Sequence, residues 1–203
     1  MAEIEPPTTN NHVRAFAKQT LRSGTIKGVV HGCFQPGSSG SPADLIIAHE
    51  TSLDLYTKDA ELASICTVPV FGNILSICRI SKPLPSNADV CAVLAESGQL
   101  LLVYVEEYNP GKLRFRLLDQ IHAGSSQGMD PGQYSMLRKV VSDPLSRALV
   151  IVSWTNTLEL VQFDWMFSKK LLPVLIQVDG IICDAAILAP SQLETQRIMI
   201  VAA

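Results

Sequence analysis

A twelve-residue pattern occurs three times along the chain and aligns without gaps, at residues 45–56, 92–103 and 150–161. In each copy an apolar run ends on a small residue (Ala48, Ala95, Ser153) and, after one intervening residue, three polar or turn-forming residues follow. The copy then closes on Leu-x-Leu, at Leu53 and Leu55, Leu100 and Leu102, Leu158 and Leu160. Apolar run, turn and alternating apolar run together mark a β-hairpin, because turn residues tolerate unusual backbone angles and the flanks suit a pleated surface. The first run of each copy has no polar side. A strand of that kind is covered on both faces by neighbouring layers, whereas a half-exposed strand alternates. The small column points to close approach of another backbone.

The copies begin 47 and then 58 residues apart, and the intervals contain two further strand candidates each. These are residues 28–34 and 61–70 around the first copy, 74–81 and 113–121 around the second, and 135–141 and 171–178 around the third. Four strands recurring at roughly 40 to 50 residues is the spacing of propeller blades. Gly/Pro/Ser-rich stretches at 35–42, 82–87 and 124–132 fit surface loops between strands. A fourth unit starts at 181–188 and continues at 197–203, where the chain stops short of the next hairpin turn. The expected fold is therefore all-β: a partial β-propeller of four-stranded antiparallel blades, about three and a half of an expected seven. Residues 1–19 are a polar N-terminal segment, and residues 20–203 are an incomplete first β-propeller domain.

Charged residues make up only 17% of the chain against 47% hydrophobic, so much of the blade surface has to be covered. The longest apolar runs, such as 149–152 and 171–176, fall far short of the roughly 18 to 20 residues that span a bilayer. The first eleven residues lack the basic and apolar regions of a secretory signal, which predicts an intracellular protein. Five cysteines, an odd number with no C-x-x-C pair, read as reduced small hydrophobes within strand-like runs. A net charge of −3 counts against a chain that holds phosphates by itself.

Catalysis needs reactive groups that converge, and no such set stands out. His12, His31, His49 and His122 share no metal-ligand spacing, and there is no phosphate-binding or dinucleotide fingerprint. Asp44 and Asp89 open two of the repeats and fit turn capping. No catalytic residue, metal ligand or cofactor is therefore predicted, and the chain is not expected to be an enzyme. The charge runs Glu106-Glu107 and Lys169-Lys170 fit solvated loops. Trp154 and Trp165 are the candidate partner contacts, since aromatic side chains are enriched at interface hot spots. Trp154 shares its column with the polar His49 and Glu96, which predicts exposure, although packing against neighbouring loops more often explains such a residue.

Several short motifs occur in an order that resembles one family. Gly28-Val-Val-His-Gly-Cys-Phe34, Asp44-Leu-Ile-Ile-Ala48, Thr51-Ser-Leu-Asp-Leu-Tyr56 and Phe71-Gly-Asn-Ile74 resemble the opening blade of the damaged-DNA-binding large-subunit family. That family includes the large subunit of the cleavage and polyadenylation specificity factor and the splicing-factor-3b propeller subunit. His122-Ala-Gly124, Ser142-Asp-Pro-Leu-Ser-Arg147 and Asp179-Gly-Ile-Ile-Cys-Asp184 resemble later motifs in the same order. The resemblance spans roughly residues 20–203. It implies the first seven-bladed propeller of a longer multi-propeller chain, of which this sequence is the first portion. By the same resemblance it implies a non-enzymatic protein-interaction scaffold in a nuclear complex of RNA 3′-end processing, splicing, or DNA repair and ubiquitin ligation. Its partners would be other proteins of that complex, with nucleic acid reached through the complex and no membrane. The loop at 124–132 lacks the family's Gly-Arg signature, which leaves the subfamily open, and the Trp-Asp dipeptide of WD40 repeats is absent. A propeller that binds nucleic acid directly is the alternative, and a propeller hydrolase or lectin a more distant one.

Overall fold

The computed structural model describes residues 25–37, 44–57, 64–81, 88–123, 134–163, 173–188 and 199–202. Among these there is no helix, so none is long and apolar enough to cross a membrane. The first sheet contains β1 (Gly28–Gly32), β2 (Asp44–Ala48), β3 (Ser52–Thr57) and β4 (Ser64–Pro69) in that spatial order. The second is β5 (Ile74–Ile80), β6 (Val90–Ala95), β7 (Gln99–Asn109) and β8 (Lys112–His122). In the third, β9 (Tyr134–Ser142), β10 (Ala148–Trp154), β11 (Thr157–Gln162) and β12 (Val174–Gln177) follow the same order, and β13 (Ala185–Leu188) pairs with β14 (Met199–Ala202). Every pairing is antiparallel between neighbours in sequence, as short polar turns between apolar runs require. These sheets are the blades of a partial β-propeller. The opening strands β1, β5, β9 and β13 adjoin in succession, while β4 approaches β8 at the other side of the blades.

The middle strands explain the absence of a polar face in the repeated run. Successive side chains of a strand point to opposite faces, so one strand can feed two layers. On β6, Cys91 and Val93 pack with Phe34, Ile46, Leu53 and Leu55 of the first blade. Ala92 and Leu94 of the same strand pack with Leu149 and Ile151 of the third. On β10 the intervening Val150 and Val152 turn instead to Ile182, Ala185 and Ile187 of the fourth unit. Both faces of β6 and β10 are thus consumed by burial between blades, at roughly 1.5–3 kcal/mol for each large aliphatic side chain.

The ungapped repeat departs from the structure at one point. Leu94 lies opposite Leu100 and Val152 opposite Leu158, but in the first blade Leu53 faces Ala48 and not Ile47. The first hairpin is one residue shorter, closed by the His49 N–H donating to the Ser52 carbonyl at 2.8 Å. Ala48 therefore does not share a structural column with Ala95, and the small-residue column does not exist as a single feature. Close approach between blades falls on glycine instead. A Cβ on Gly28 would lie 2.8 Å from Ile77 Cγ1, and one on Gly32 would lie 2.6 Å from Asp89 Oδ2.

Candidate interaction surface

The buried carboxylates tie strands and blades together. Asp44 Oδ2 accepts the Phe34 and Gln35 backbone N–H groups at 2.7 and 2.9 Å, and its Oδ1 accepts Gln35 Nε2 at 2.9 Å. This fastens the end of β1 to the start of β2. Asp89 reaches across blades: its Oδ2 accepts the Cys33 N–H at 2.8 Å, its own N–H donates to the Cys33 carbonyl at 2.7 Å, and Arg79 Nε lies 3.8 Å away. Asp143 closes the β9–β10 turn, holding Arg147 through Nε at 2.6 Å, Nη2 at 3.0 Å and the backbone N–H at 3.1 Å. Burial pushes the Asp143 carboxyl upward, but the hydrogen bonds and charge of Arg147 outweigh it and hold the group below the usual aspartate range. Ser146 in this turn has φ 57°, and its Oγ accepts the Ser81 N–H of the second blade at 2.7 Å. The Asp-Pro-x-x-Arg stretch is thus a turn that also grips its neighbour.

A second buried carboxylate set lies within single blades. Asp54 is 2% exposed; Thr67 Oγ1 donates to its Oδ1 at 2.7 Å, while Tyr56 Oη at 3.3 Å and His49 Nε2 at 3.1 Å meet its Oδ2. Glu159 fills the same place between Leu158 and Leu160 that Asp54 fills between Leu53 and Leu55, and it too is buried. Trp154 does not meet the expectation of exposure: it is 2% exposed. Of its counterparts in the repeat, Glu96 is exposed, whereas His49 is drawn against the buried Asp54 with 12% of its side chain exposed and, by the register of the first hairpin, stands one position earlier. Trp165, Lys169 and Lys170 lie outside the described residues.

All five cysteines are free. Cys33 and Cys91 are buried, and Cys66 and Cys78 half-buried. Burial pushes the Cys78 thiol up to about 12 and that of Cys66 to about 11. Cys183 departs from the expectation of a strand hydrophobe, being exposed in the linker before β13. His31 and His122 are exposed and lie on different blades. Among the described residues no group of three or more His, Cys, Asp or Glu is placed to hold a metal ion.

The β7–β8 hairpin, the longest among the described residues, carries a network of charged side chains. There Glu106 receives Arg114 Nε at 2.7 Å and Arg116 Nη1 at 3.1 Å, and Arg114 lies 5.2 Å over the Tyr108 ring. Hydrogen bonds from Arg114, then Arg116, hold the Glu106 carboxyl below its ordinary value. The run that contains Glu106 is therefore an internally satisfied, solvated face.

Among the described residues the two most exposed large apolar side chains lie on linkers between blades, Phe71 at 93% and Ile181 at 74%. Sequence reasoning passed over both. The available signal was the Gly-x-Ile that accompanies each, Gly72-Asn73-Ile74 and Gly180-Ile181-Ile182. In both linkers a glycine at positive φ stands two residues before an isoleucine whose N–H donates back to a hairpin turn of the preceding blade, Ile74 to the Glu50 carbonyl at 2.7 Å and Ile182 to the Thr155 carbonyl at 2.6 Å. The arrangement supplies no converging reactive groups among the described residues. What it can do is present side chains in fixed positions on rigid blades. The family model described as RSE1/DDB1/CPSF1 first beta-propeller matches residues 25–170. No curated protein matches the chain.

Proposed function

The chain belongs to the RSE1/DDB1/CPSF1 first β-propeller family, and from that membership we propose that it is a non-enzymatic scaffold that holds other proteins in a nuclear complex. The match across residues 25–170 is the observation that carries this reading. The structural chemistry supports it: the buried carboxylates Asp44, Asp89 and Asp143 spend their acceptor capacity on backbone and arginine donors that hold blades rigid. Rigid elements suit display, because a preorganised surface loses less entropy when a partner binds. The processes consistent with the family are RNA 3′-end processing, splicing, and DNA repair coupled to ubiquitin ligation.

The test is affinity purification of the tagged chain from nuclear and cytoplasmic fractions, with and without nuclease. Protein partners that are nuclear and withstand nuclease are the expected result. Partners lost on nuclease treatment would instead favour direct nucleic-acid binding. That alternative predicts a second signature, a loss of affinity for RNA or DNA on the order of 10³-fold between 50 and 200 mM salt if six or more phosphates are neutralised.

A further inference from the structure

Phe71 is the most exposed large apolar side chain among the described residues. It lies on the linker from β4 to β5, and that linker is fastened on both sides. The Val70 N–H donates to the Thr51 carbonyl at 2.8 Å and the Ile74 N–H to the Glu50 carbonyl at 2.7 Å, both in the β2–β3 turn. The Glu96 N–H of the β6–β7 turn donates to the Asn73 carbonyl at 2.7 Å. Gly72 has φ +88°, and a Cβ added there would meet nothing within 4 Å, so glycine serves backbone direction and not space. The ring is thus held out in water by an ordered linker.

A lone exposed apolar residue is ordinary. Two observations set this one apart. First, the linker joins two turns that carry exposed carboxylates, Glu50 and Glu96, and Asn73 Nδ2 holds Glu96 Oε2 at 2.7 Å beside it. Second, a related linker occurs two blades later, with its apolar residue after the glycine instead of before it. Gly180 has φ +122°, Ile182 is bonded to the Thr155 carbonyl, and between them Ile181 is 74% exposed, with the exposed Asp179 two residues before it. Both linkers dock on hairpin turns at the same end of the blades, and both present an apolar side chain beside acidic ones.

We propose that this end of the blades, centred on Phe71, docks a partner-protein segment in which an arginine or lysine lies next to an aliphatic side chain. The cation stacks on the Phe71 ring and pairs with Glu50 and Glu96, while the aliphatic group covers the remaining ring surface. The charge selects the partner class: Arg138 Nη1 donates to the Glu96 carbonyl at 2.7 Å and offsets part of the charge, but the exposed carboxylates of Glu50 and Glu96 on the turns that flank the linker attract a cation and repel a phosphate backbone. The inference deepens the scaffold reading and rests on it.

Two experiments on the full chain test it. In the first, amide NMR shifts are followed during titration with N-acetyl-Arg-Leu-Arg-amide and with its Gln-Leu-Gln counterpart. Saturable shifts at Gly72 and Asn73 for the arginine peptide are expected. Binding should be roughly threefold to fivefold weaker after Phe71→Ala, and weaker again for the double variant Glu50→Gln/Glu96→Gln, which leaves the ring in place. Equal shifts with both peptides, shifts spread over the whole surface, or binding unchanged in both variants would overturn the proposal. In the second, a photocrosslinking amino acid replaces Phe71, or Leu117 on β8 as a comparison, in cells. Cross-links from position 71 to cation-bearing protein segments are expected. Protein cross-links from position 117 alone, or nucleic-acid cross-links from position 71, would overturn the docking site and leave the scaffold reading standing in the first case. Absence of protein cross-links at both positions would overturn both.

Discussion

Gly32 carries more of the blade junction than its size suggests. A Cβ there would lie 2.6 Å from Asp89 Oδ2 and 2.8 Å from Arg79 Cδ. Arg79 has room to move, but Asp89 is 2% exposed and held to the Cys33 N–H. Gly32→Ala is therefore expected to cost roughly 1–3 kcal/mol, the range for forcing extra volume into a packed site, measured by urea unfolding. A second residue-scale expectation concerns Asp143, whose carboxyl is held below the ordinary aspartate range in the folded chain. A depressed folded-state pKa favours the folded state above the unfolded value, and that contribution disappears as pH falls through the folded value. The unfolding free energy of the natural chain should thus fall on acidification below about pH 4. Asp143→Asn should be less stable at pH 7 and show a shallower loss across the same acid range. Equal slopes would mean that the Arg147 pair does not stabilise the fold.

At the scale of elements, the linkers and hairpins form one repeated device. The β4–β5 and β12–β13 linkers each turn on a glycine at positive φ and then return an N–H to a middle turn of the preceding blade, as Ile74 does to Glu50 and Ile182 to Thr155. An L-residue in that backbone region is strained by roughly 1–2 kcal/mol. Gly72→Ala is expected to destabilise by that amount although its Cβ meets nothing, whereas a glycine kept merely for space would show no loss at such an open position. Calorimetric unfolding of the two proteins decides between these. Turn length is less legible than turn existence. Each copy of the repeat has three polar residues before Leu-x-Leu, yet the first hairpin closes one residue sooner, because polar composition marks where a chain reverses and hydrogen-bond closure decides the register.

Across the whole molecule the blades are joined by separate apolar layers, and stability should follow those layers. Leu94 and Leu149 share the layer between the second and third blades, while Leu55 lies in the layer between the first and second. Each truncation to alanine is expected to cost roughly 2–5 kcal/mol. Leu94→Ala with Leu149→Ala should deviate from additivity by about 0.5 kcal/mol or more, and Leu55→Ala with Leu149→Ala should add within about 0.5 kcal/mol. Urea unfolding of the single and double variants measures both cycles, and equal coupling in the two would show that the blades behave as one undivided core.

The hairpin repeat and its doubly apolar runs were enough to establish the blades, because strand pairing between sequence neighbours depends on local periodicity and turn chemistry. The four-stranded spacing, the antiparallel order and the two-sided burial of β6 and β10 all follow from that local pattern. Asp44 as a turn cap was legible for the same reason, since its partners Phe34 and Gln35 lie close in sequence. Contacts between distant residues were not. Asp89 meeting Cys33 across 56 residues, Trp154 lying buried, and Phe71 standing in water depend on how whole blades stack. Residue type alone cannot report that stacking: a tryptophan suits an interface or a core equally well, and only the neighbouring blade decides which of its surroundings is protein and which is water.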